Sequence, residues 1–304
     1  MERRQRGGDD QRPQASDGQA RRKPSLAPGL HIVATPIGNL RDITLRALDV
    51  LRGADLIACE DTRVFAKLAS HHGISAPTVA YSDATQDAAE PRLLKALDEG
   101  KRVALVSDAG MPLISDPGYR LVRAALSRGH LVTSAPGPSA VPLALALSGL
   151  PAERFYFGGF LPAKPAERRR AIAEAVAVPA TLIFFEAPHR LATSLGELAG
   201  LIGPRPAAVA RELTKLFEEV RRAPLDELAA YYAKQPGVKG EIAIVIGPPQ
   251  PEAAPAADRV DDCLREAMAA ASVRDAAAEV AARFGLKRRE VYARALALKR
   301  EGLR

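Results

Sequence analysis

Tryptophan is absent from the 304 residues, and Phe and Tyr together make up only 5%. The interior must therefore be packed largely from Ala, Leu and Val; apolar residues of all types reach 47%, an ordinary share for a chain that buries a core. Only two cysteines occur, Cys59 and Cys263, far apart, which argues against a disulfide framework and fits a reducing cytoplasm. No apolar run approaches the ~20 residues of a membrane-spanning helix, and no h-region follows the N-terminus, so neither insertion nor secretion is expected. His31, His71, His72, His130 and His189 lack metal-ligand spacing and no Cys-x-x-Cys exists, so no metal is expected. The glycines do not match G-x-G-x-x-G, no phosphate-cradling G-x-x-x-x-G-K-[ST] occurs, and no G-x-S-x-G elbow appears. Dinucleotide binding, an ATP-type phosphate loop and the common hydrolase are thereby set aside.

Charge is present, and it is placed at the ends. Of the net +7, residues 1–27 hold a surplus of three and residues 256–304 another three, leaving the body near neutral. Within the C-terminal stretch, Arg283, Lys287, Arg288, Arg289, Arg294, Lys299, Arg300 and Arg304 face only Glu290 and Glu301. A basic appendage on a neutral body suits a polyanionic partner, because Lys and Arg contacts to phosphate give sequence-independent affinity. A solvated helix face accounts for the same residues equally well.

Residues 1–28 are rich in Arg, Gln, Gly, Asp and Pro and are expected to form a disordered tail. From there the pattern alternates. Leu30–Ala34, Asp55–Cys59, Val79–Tyr81, Val103–Val106 and Leu131–Thr133 read as short buried strands. Between them lie helices from Asp42 to Leu51 (with Leu45, Leu48 and Leu51 on one face), Thr62 to His72, Arg92 to Glu99 and Tyr119 to Arg128. This predicts a largely parallel, two-faced sheet over 29–150. A second α/β unit over 151–248 has strands at Ala180–Phe185, Ala207–Ala210 and Glu241–Ile246, with helices at Leu191–Ile202 and Leu225–Lys234. Residues 249–257 form a Pro-rich linker. Residues 258–304 read as a helical module: Val260, Leu264 and Ala267 share a face, Ser272 and Asp275 resemble a capping box, and Gly285 ends a helix. A further helix over Glu290–Arg300 aligns Val291, Ala295 and Leu298, giving a helix-turn-helix shape.

In open α/β sheets, ligands bind beyond the C-terminal strand ends. Three Gly- and Pro-rich loops fall there: Thr35–Asn39, Ser107–Gly118 and Ala135–Ala140. Glycine permits close backbone approach to a ligand and proline fixes loop shape. Asp108, at a strand tip, can accept hydrogen bonds from a ligand's amine or hydroxyl groups. One such loop is an ordinary turn; three from neighbouring strands point to a small-molecule pocket.

The strings Ala34-Thr-Pro-Ile-Gly-Asn-Leu40, Asp42-Ile-Thr44, Cys59-Glu-Asp-Thr-Arg63, Ser107-Asp-Ala-Gly110, Ile114-Ser-Asp-Pro-Gly118 and Pro136-Gly-Pro-Ser139 resemble the tetrapyrrole-methylase superfamily. Gly159-Phe-Leu-Pro162, Phe185-Glu-Ala-Pro-His-Arg190 and Ala210-Arg-Glu-Leu-Thr-Lys215, with Glu60-Asp-Thr-Arg63, narrow the resemblance to its branch of bacterial 16S ribosomal RNA cytidine 2′-O-methyltransferases. The resemblance covers nearly all of 30–304. It implies two α/β domains with an S-adenosylmethionine cleft between them, plus a C-terminal helical module that helps hold RNA. Gly38, Asp108, Gly110, Met111, Ser139 and Ala140 would line the donor site from the first domain, and Phe185, Leu213 and the start of the Glu241 strand would close it. Met111 stands where the family usually has Thr; contact there is expected through backbone. A homodimer acting on 16S ribosomal RNA or the small subunit, in the cytoplasm, is also implied.

A ribose hydroxyl is a poor nucleophile, so a general base helps. Glu60, Asp61, Glu186 and His189 are the candidates; Glu60 leads because it follows a strand beside the donor loop, although pairing with Arg63 to hold the loop would also explain it. Arg63, Lys164, Arg190, Lys215, Lys287, Arg288 and Arg289 are candidate RNA contacts, as is the Arg168–Arg170 run. Three other readings stay open: a methyltransferase for a small macrocycle, which needs no basic tail; a non-catalytic RNA-binding module, which leaves the three loops unexplained; and a nucleic-acid regulator acting through the tail, which offers few residues for it.

Overall fold

The computed structural model describes residues 26–235, 237–249 and 257–301. The expected tail over 1–28 lies outside them up to residue 25, as does most of the expected linker, residues 250–256. Leu26 packs onto the first core, against Gly53, and His31 Nε2 bonds the Ala27 carbonyl, so order begins before residue 29.

The described residues divide into two compact units, one of those up to 147 with 210–219, the other of 148–209 with those from 220 on. The first contains β1 (Gly29–Val33), α1 (Leu45–Gly53), β2 (Leu56–Cys59), α2 (Thr62–His72), β3 (Thr78–Ala80), α3 (Gln86–Asp98), β4 (Arg102–Val106), α4 (Tyr119–Ser127), β5 (Val132–Ala135) and α5 (Ala140–Ser148). Its sheet runs β3-β2-β4-β1-β5, and every pairing is parallel. Successive residues of a strand point to opposite faces. Leu30, Leu56, Ala58, Val103 and Leu105 accordingly join one core with α3 and α4, while Val33, Ile57, Cys59, Ala104 and Val106 join another with α1 and α2. With both faces buried, the strands read as unbroken apolar runs rather than alternating ones.

Several elements differ from expectation. Leu45 is 68% exposed, and α1 buries Ala47, Leu48, Val50 and Leu51 instead, with Thr44 capping the Ala47 N–H. Helix α3 starts at Gln86 and continues through Pro91.

The second unit holds β6 (Phe155–Phe160), α6 (Pro165–Val176), β7 (Thr181–Glu186), α7 (Leu191–Ile202), β8 (Pro206–Arg211), β9 (Glu219–Pro224), α8 (Leu225–Ala233) and β10 (Ile242–Ile246). The sheet order is β6-β7-β10-β8-β9, with β6 parallel and β10 antiparallel to β7. Strands β6 and β9 and helices α5 and α6 had no counterpart in the sequence reading. One core, centred on Ile172, Phe184, Leu195, Val209, Leu228 and Ile244, serves this sheet. Arg168, expected among phosphate contacts, is 4% exposed. Its guanidinium makes two 2.8 Å bonds to Glu197 and reaches the Pro162 and Ala163 carbonyls.

Helices α9 (Ala257–Ala270), α10 (Val273–Phe284) and α11 (Arg288–Glu301) pack around Leu264, Val280, Val291, Ala295 and Leu298. Ser272 caps α10 at the Asp275 N–H, and Gly285 ends it with φ +61°. Buried Asp261 pairs with Arg294 across α9 and α11. Among the described residues no helix is long and apolar enough to cross a membrane.

Removing one partner of a buried, hydrogen-bonded ion pair leaves the other charge uncompensated. Arg168→Ala should therefore lower unfolding stability by roughly 3 kcal/mol, read as a lower urea midpoint. An unchanged midpoint would show the pair to be solvated and dispensable.

Candidate functional site

The chain leaves β1 toward β2 on one side of the sheet and leaves β4 toward β5 on the other. Adjacent parallel strands whose connections diverge open a crevice at their C-terminal ends, the place where α/β sheets bind ligands. Here the crevice lies between β4 and β1, and the loops that follow them are laced together. The Thr35 N–H donates to the Gly110 carbonyl at 2.8 Å, the Gly110 N–H returns to Thr35 O at 3.1 Å, and Thr35 Oγ1 donates to Ser107 O at 3.1 Å. Gly110 has φ +86°, and a Cβ there would come within 3.2 Å of Ile37. From β5, Gly137 packs so closely on Ala34 that a Cβ would meet its methyl at 3.1 Å. Ser139 and Ala140 then lead into α5, where the Leu143 N–H donates to the Ser139 carbonyl.

The tips of β2 and β4 are joined as well. Asp108 Oδ1 accepts from the Asp61 N–H at 3.0 Å, and the Glu60 carboxylate lies near enough to the Asp108 N–H to be stabilised by it. Burial, then the charge of Asp108, holds the Glu60 pKa above its ordinary value. Burial does the same for Asp108, opposed by the Asp61 N–H. Glu60 is therefore not the partner of Arg63. Asp61 is: its carboxylate caps α2 at the Arg63 N–H and pairs with the Arg63 guanidinium at 2.6 Å, which holds its pKa down to about 2. That leaves Asp61 a poor proton acceptor, while Arg63 stays 89% exposed.

Asp116 joins this group and was not singled out in the sequence. It lies in the Ser107–Gly118 loop, hydrogen-bonded to the Ser107 side chain, and burial raises its pKa to about 6. Glu60 and Asp108 add to the rise. Leu113 and Ser115 precede it at φ +73° and +67°, left-handed values that non-glycine residues rarely adopt. Gly118 closes the loop at φ +134°, with only 2.8 Å between a would-be Cβ and Leu105. In the sequence Asp116 was visible as part of a Gly- and Pro-rich loop and of the Ile114–Gly118 string; its closeness to Glu60, which follows another strand, was not.

Residues 210–219, between β8 and β9, also belong to this unit. Leu213 is buried there, and a Cβ on Gly38 would lie 2.4 Å from Lys215 Cγ and 3.0 Å from Leu213 O. Only glycine fits beneath that loop. Met111 is half-buried in its own loop. Lys215 is drawn back onto Glu212 at 2.8 Å.

The other candidates lie in the second unit and take other roles. The Glu186 side chain is fully buried and accepts from the Ala187 N–H at 2.7 Å, from Ser194 Oγ and from Arg190 at 2.6 Å. It holds the turn into α7 and has no oxygen to spare for a substrate proton; Arg190 is spent on the same contact. His189 is exposed, and Phe185 packs edge-on against Phe157 and Phe160. Lys164 pairs with Glu167 at the exposed start of α6, and Lys287, Arg288 and Arg289 are exposed at the start of α11. Among the described residues no His, Cys, Asp and Glu group could hold a metal ion.

S-adenosylmethionine, the donor used by methylases with these loops, fits the residues present. Gly38 and Gly110 leave no room for a Cβ, Asp108 offers an acceptor, and Thr214 Oγ1 is buried beside Gly38 with no hydrogen-bond partner among the described residues.

Comparison with known proteins agrees. The family model for tetrapyrrole (corrin/porphyrin) methylases matches residues 29–229, and that for the RsmI C-terminal HTH domain matches residues 253–299. A curated relative from Mesorhizobium japonicum, named ribosomal RNA small subunit methyltransferase I, is 50% identical over 275 residues, 90% of this chain and 93% of its own. Its namesake from Escherichia coli O157:H7 is 44% identical over 272 residues, 88% and 94%. Among solved structures, a diphthine synthase superposes with TM-score 0.56 at 16% identity, covering 72% of this chain and 89% of its own. A Thermus thermophilus uroporphyrin-III-C-methyltransferase gives 0.52 at 21%, covering 72% and 94%. These two share the fold.

Asp116 supplies a pH test of this cluster. With a folded pKa of about 6 against an ordinary 3.8, the folded chain retains a proton that the unfolded chain has lost between those values. The stability it contributes relative to Asn therefore declines as pH rises through that window. The difference in unfolding free energy between wild type and Asp116→Asn should be more favourable to wild type at pH 4.5 than at pH 7.5. Parallel stability–pH curves would place Asp116 in water.

Proposed function

Because the chain belongs to the tetrapyrrole methylase family, we propose that it transfers a methyl group from S-adenosylmethionine to a cytidine ribose 2′-oxygen in 16S ribosomal RNA. The observation that carries this reading is 50% identity sustained over 90% of this chain and 93% of a relative named ribosomal RNA small subunit methyltransferase I. The match to an RsmI C-terminal domain over residues 253–299 extends it to the helical module, which a macrocycle methylase does not need. The functional division runs 29–150, 151–248 and 258–304, with the 210–219 segment serving the first unit.

Bound S-adenosylmethionine supplies a methyl group already activated by its sulfonium. The chain's work is to align the acceptor oxygen and to take its proton, and alignment alone is worth several orders of magnitude. The donor is held by the loops around Gly38, Asp108, Gly110, Met111, Ser139 and Ala140, with Leu213 behind them. Glu60 is the proton acceptor. Burial and the charge of Asp108 make it a stronger base than a solvated glutamate. Asp61, committed to Arg63, and Glu186, committed to Ser194 and Arg190, do not compete for that role. Exposed Arg63, Lys164, Lys287, Arg288 and Arg289 make the phosphate contacts. The working form is a homodimer in the cytoplasm.

Transfer of labelled methyl to small ribosomal subunits lacking the modification tests both pocket and base. Asp108→Ala should lose donor binding and transfer together. Glu60→Gln should keep donor affinity and lose about 100-fold in kcat. Wild-type rate should fall as pH drops through the raised Glu60 pKa, since the protonated acid accepts nothing. Full kcat in Glu60→Gln would remove Glu60 from the mechanism, and label on another acceptor would overturn the substrate.

A further inference from the structure

Leu216 is 90% exposed and Phe217 is 69% exposed, side by side on the segment joining β8 to β9. The segment is tightly held. Glu212 and Thr214 stand at φ +51° and +66°, Arg211 pairs with Glu219 at 3.0 Å, and the Thr214 N–H donates to Glu218 at 2.6 Å. Left-handed backbone at two non-glycine residues persists only where the surroundings enforce it, and such strain gathers at functional sites. The loop thus spends conformational energy to present two apolar side chains to water.

Its position says to what. Lys215 and Leu213 rest on Gly38, in the donor loop after β1. Two residues of chain span at most about 7 Å, so Phe217 stands at the rim of the same loops. The other aromatic residues of this unit are engaged: Phe65 and Tyr81 are buried, and the Tyr119 ring lies under Arg123. Phe217 has no ring or cation contact among the described residues.

We propose that Phe217 is the stacking platform for an unpaired nucleobase of the RNA acceptor, next to the ribose that is methylated. This rests on the ribosomal RNA reading above. Proteins that read single-stranded RNA splay bases onto aromatic faces. The charge of the loop favours a base over a phosphate, because Glu212, Glu218 and Glu219 outnumber Arg211 and Lys215. Its size favours a base over a second copy of the chain: one Phe covers about 200 Å², against roughly 800 Å² per partner in a standard protein interface.

The test compares methyl transfer to unmodified small subunits by wild type, Phe217→Ala, Phe217→Leu and Phe217→Trp. Phe217→Ala should raise KM for the subunit roughly tenfold, the size of one base–aromatic stack, with kcat and donor affinity unchanged. Trp should restore KM; Leu, apolar without a π face, should not. As the chain has no other tryptophan, the emission of Phe217→Trp should also be quenched by a synthetic RNA hairpin carrying the target cytidine in its loop. Wild-type KM in Phe217→Ala, or full rescue by Leu, overturns the proposal. So does a fall in mass of Phe217→Ala in sedimentation, which would make the loop a protein interface. If wild type itself transfers no methyl to the subunit, the RNA reading fails first, and the variants are not needed to show it.

Discussion

The paired hydrogen bonds between Thr35 and Gly110 are the constraint on which the site depends. Strands β1 and β4 are neighbours whose onward chains leave in opposite directions, and without a cross-link their loops would part beyond the sheet. The two backbone bonds, reinforced from Thr35 Oγ1 to Ser107, extend strand-like order past the ends of the strands. Because they are backbone bonds, they set the loop positions more closely than flexible side chains would. Glycine is required at 110 because the reversal uses positive φ while Ile37 closes in from the side.

Around this lock the chain concentrates features that are costly elsewhere. Three carboxylates, Glu60, Asp108 and Asp116, sit near one another with raised pKa values, and burial is the leading cause for each. Desolvated acids weaken folding at neutral pH, which is tolerated where chemistry uses the altered basicity. The same unit holds the non-glycine residues at positive φ, at 113, 115, 212 and 214. Both strained loops border the crevice, and the rest of the described backbone is ordinary.

The fold was legible where burial on both faces left a simple signature. Val103–Val106 is an unbroken apolar run, and Leu30–Ala34 is one but for the buried, hydrogen-bonded His31, because helices cover both sides of the sheet. Strands β6 and β9 were not, since each is the edge of its sheet. Phe155–Phe160 has two glycines and exposed rings, and Glu219–Pro224 carries charges of both signs, as edges that avoid pairing with other chains tend to do. In the site, the glycine loops and Asp108 could be read from composition and resemblance. The pairings could not. Arg63 lies three residues from Glu60 and two from Asp61, and only the turn into α2 decides between them. Glu186 and Arg190 look free in sequence and prove to be paired with each other. Asp116 gains its character from Ser107 and Asp108 of its own loop and from Glu60, which the sheet order brings beside them.

The most direct test of the central claim is the dissociation constant of S-adenosylmethionine for wild type and Gly110→Ala, measured by titration calorimetry at a temperature where both are folded by circular dichroism. If the Thr35–Gly110 lock forms the donor site, the variant should bind at least tenfold more weakly while its secondary structure is retained. Equal affinity in a folded variant would contradict the assignment and move the donor away from the β1 and β4 loops.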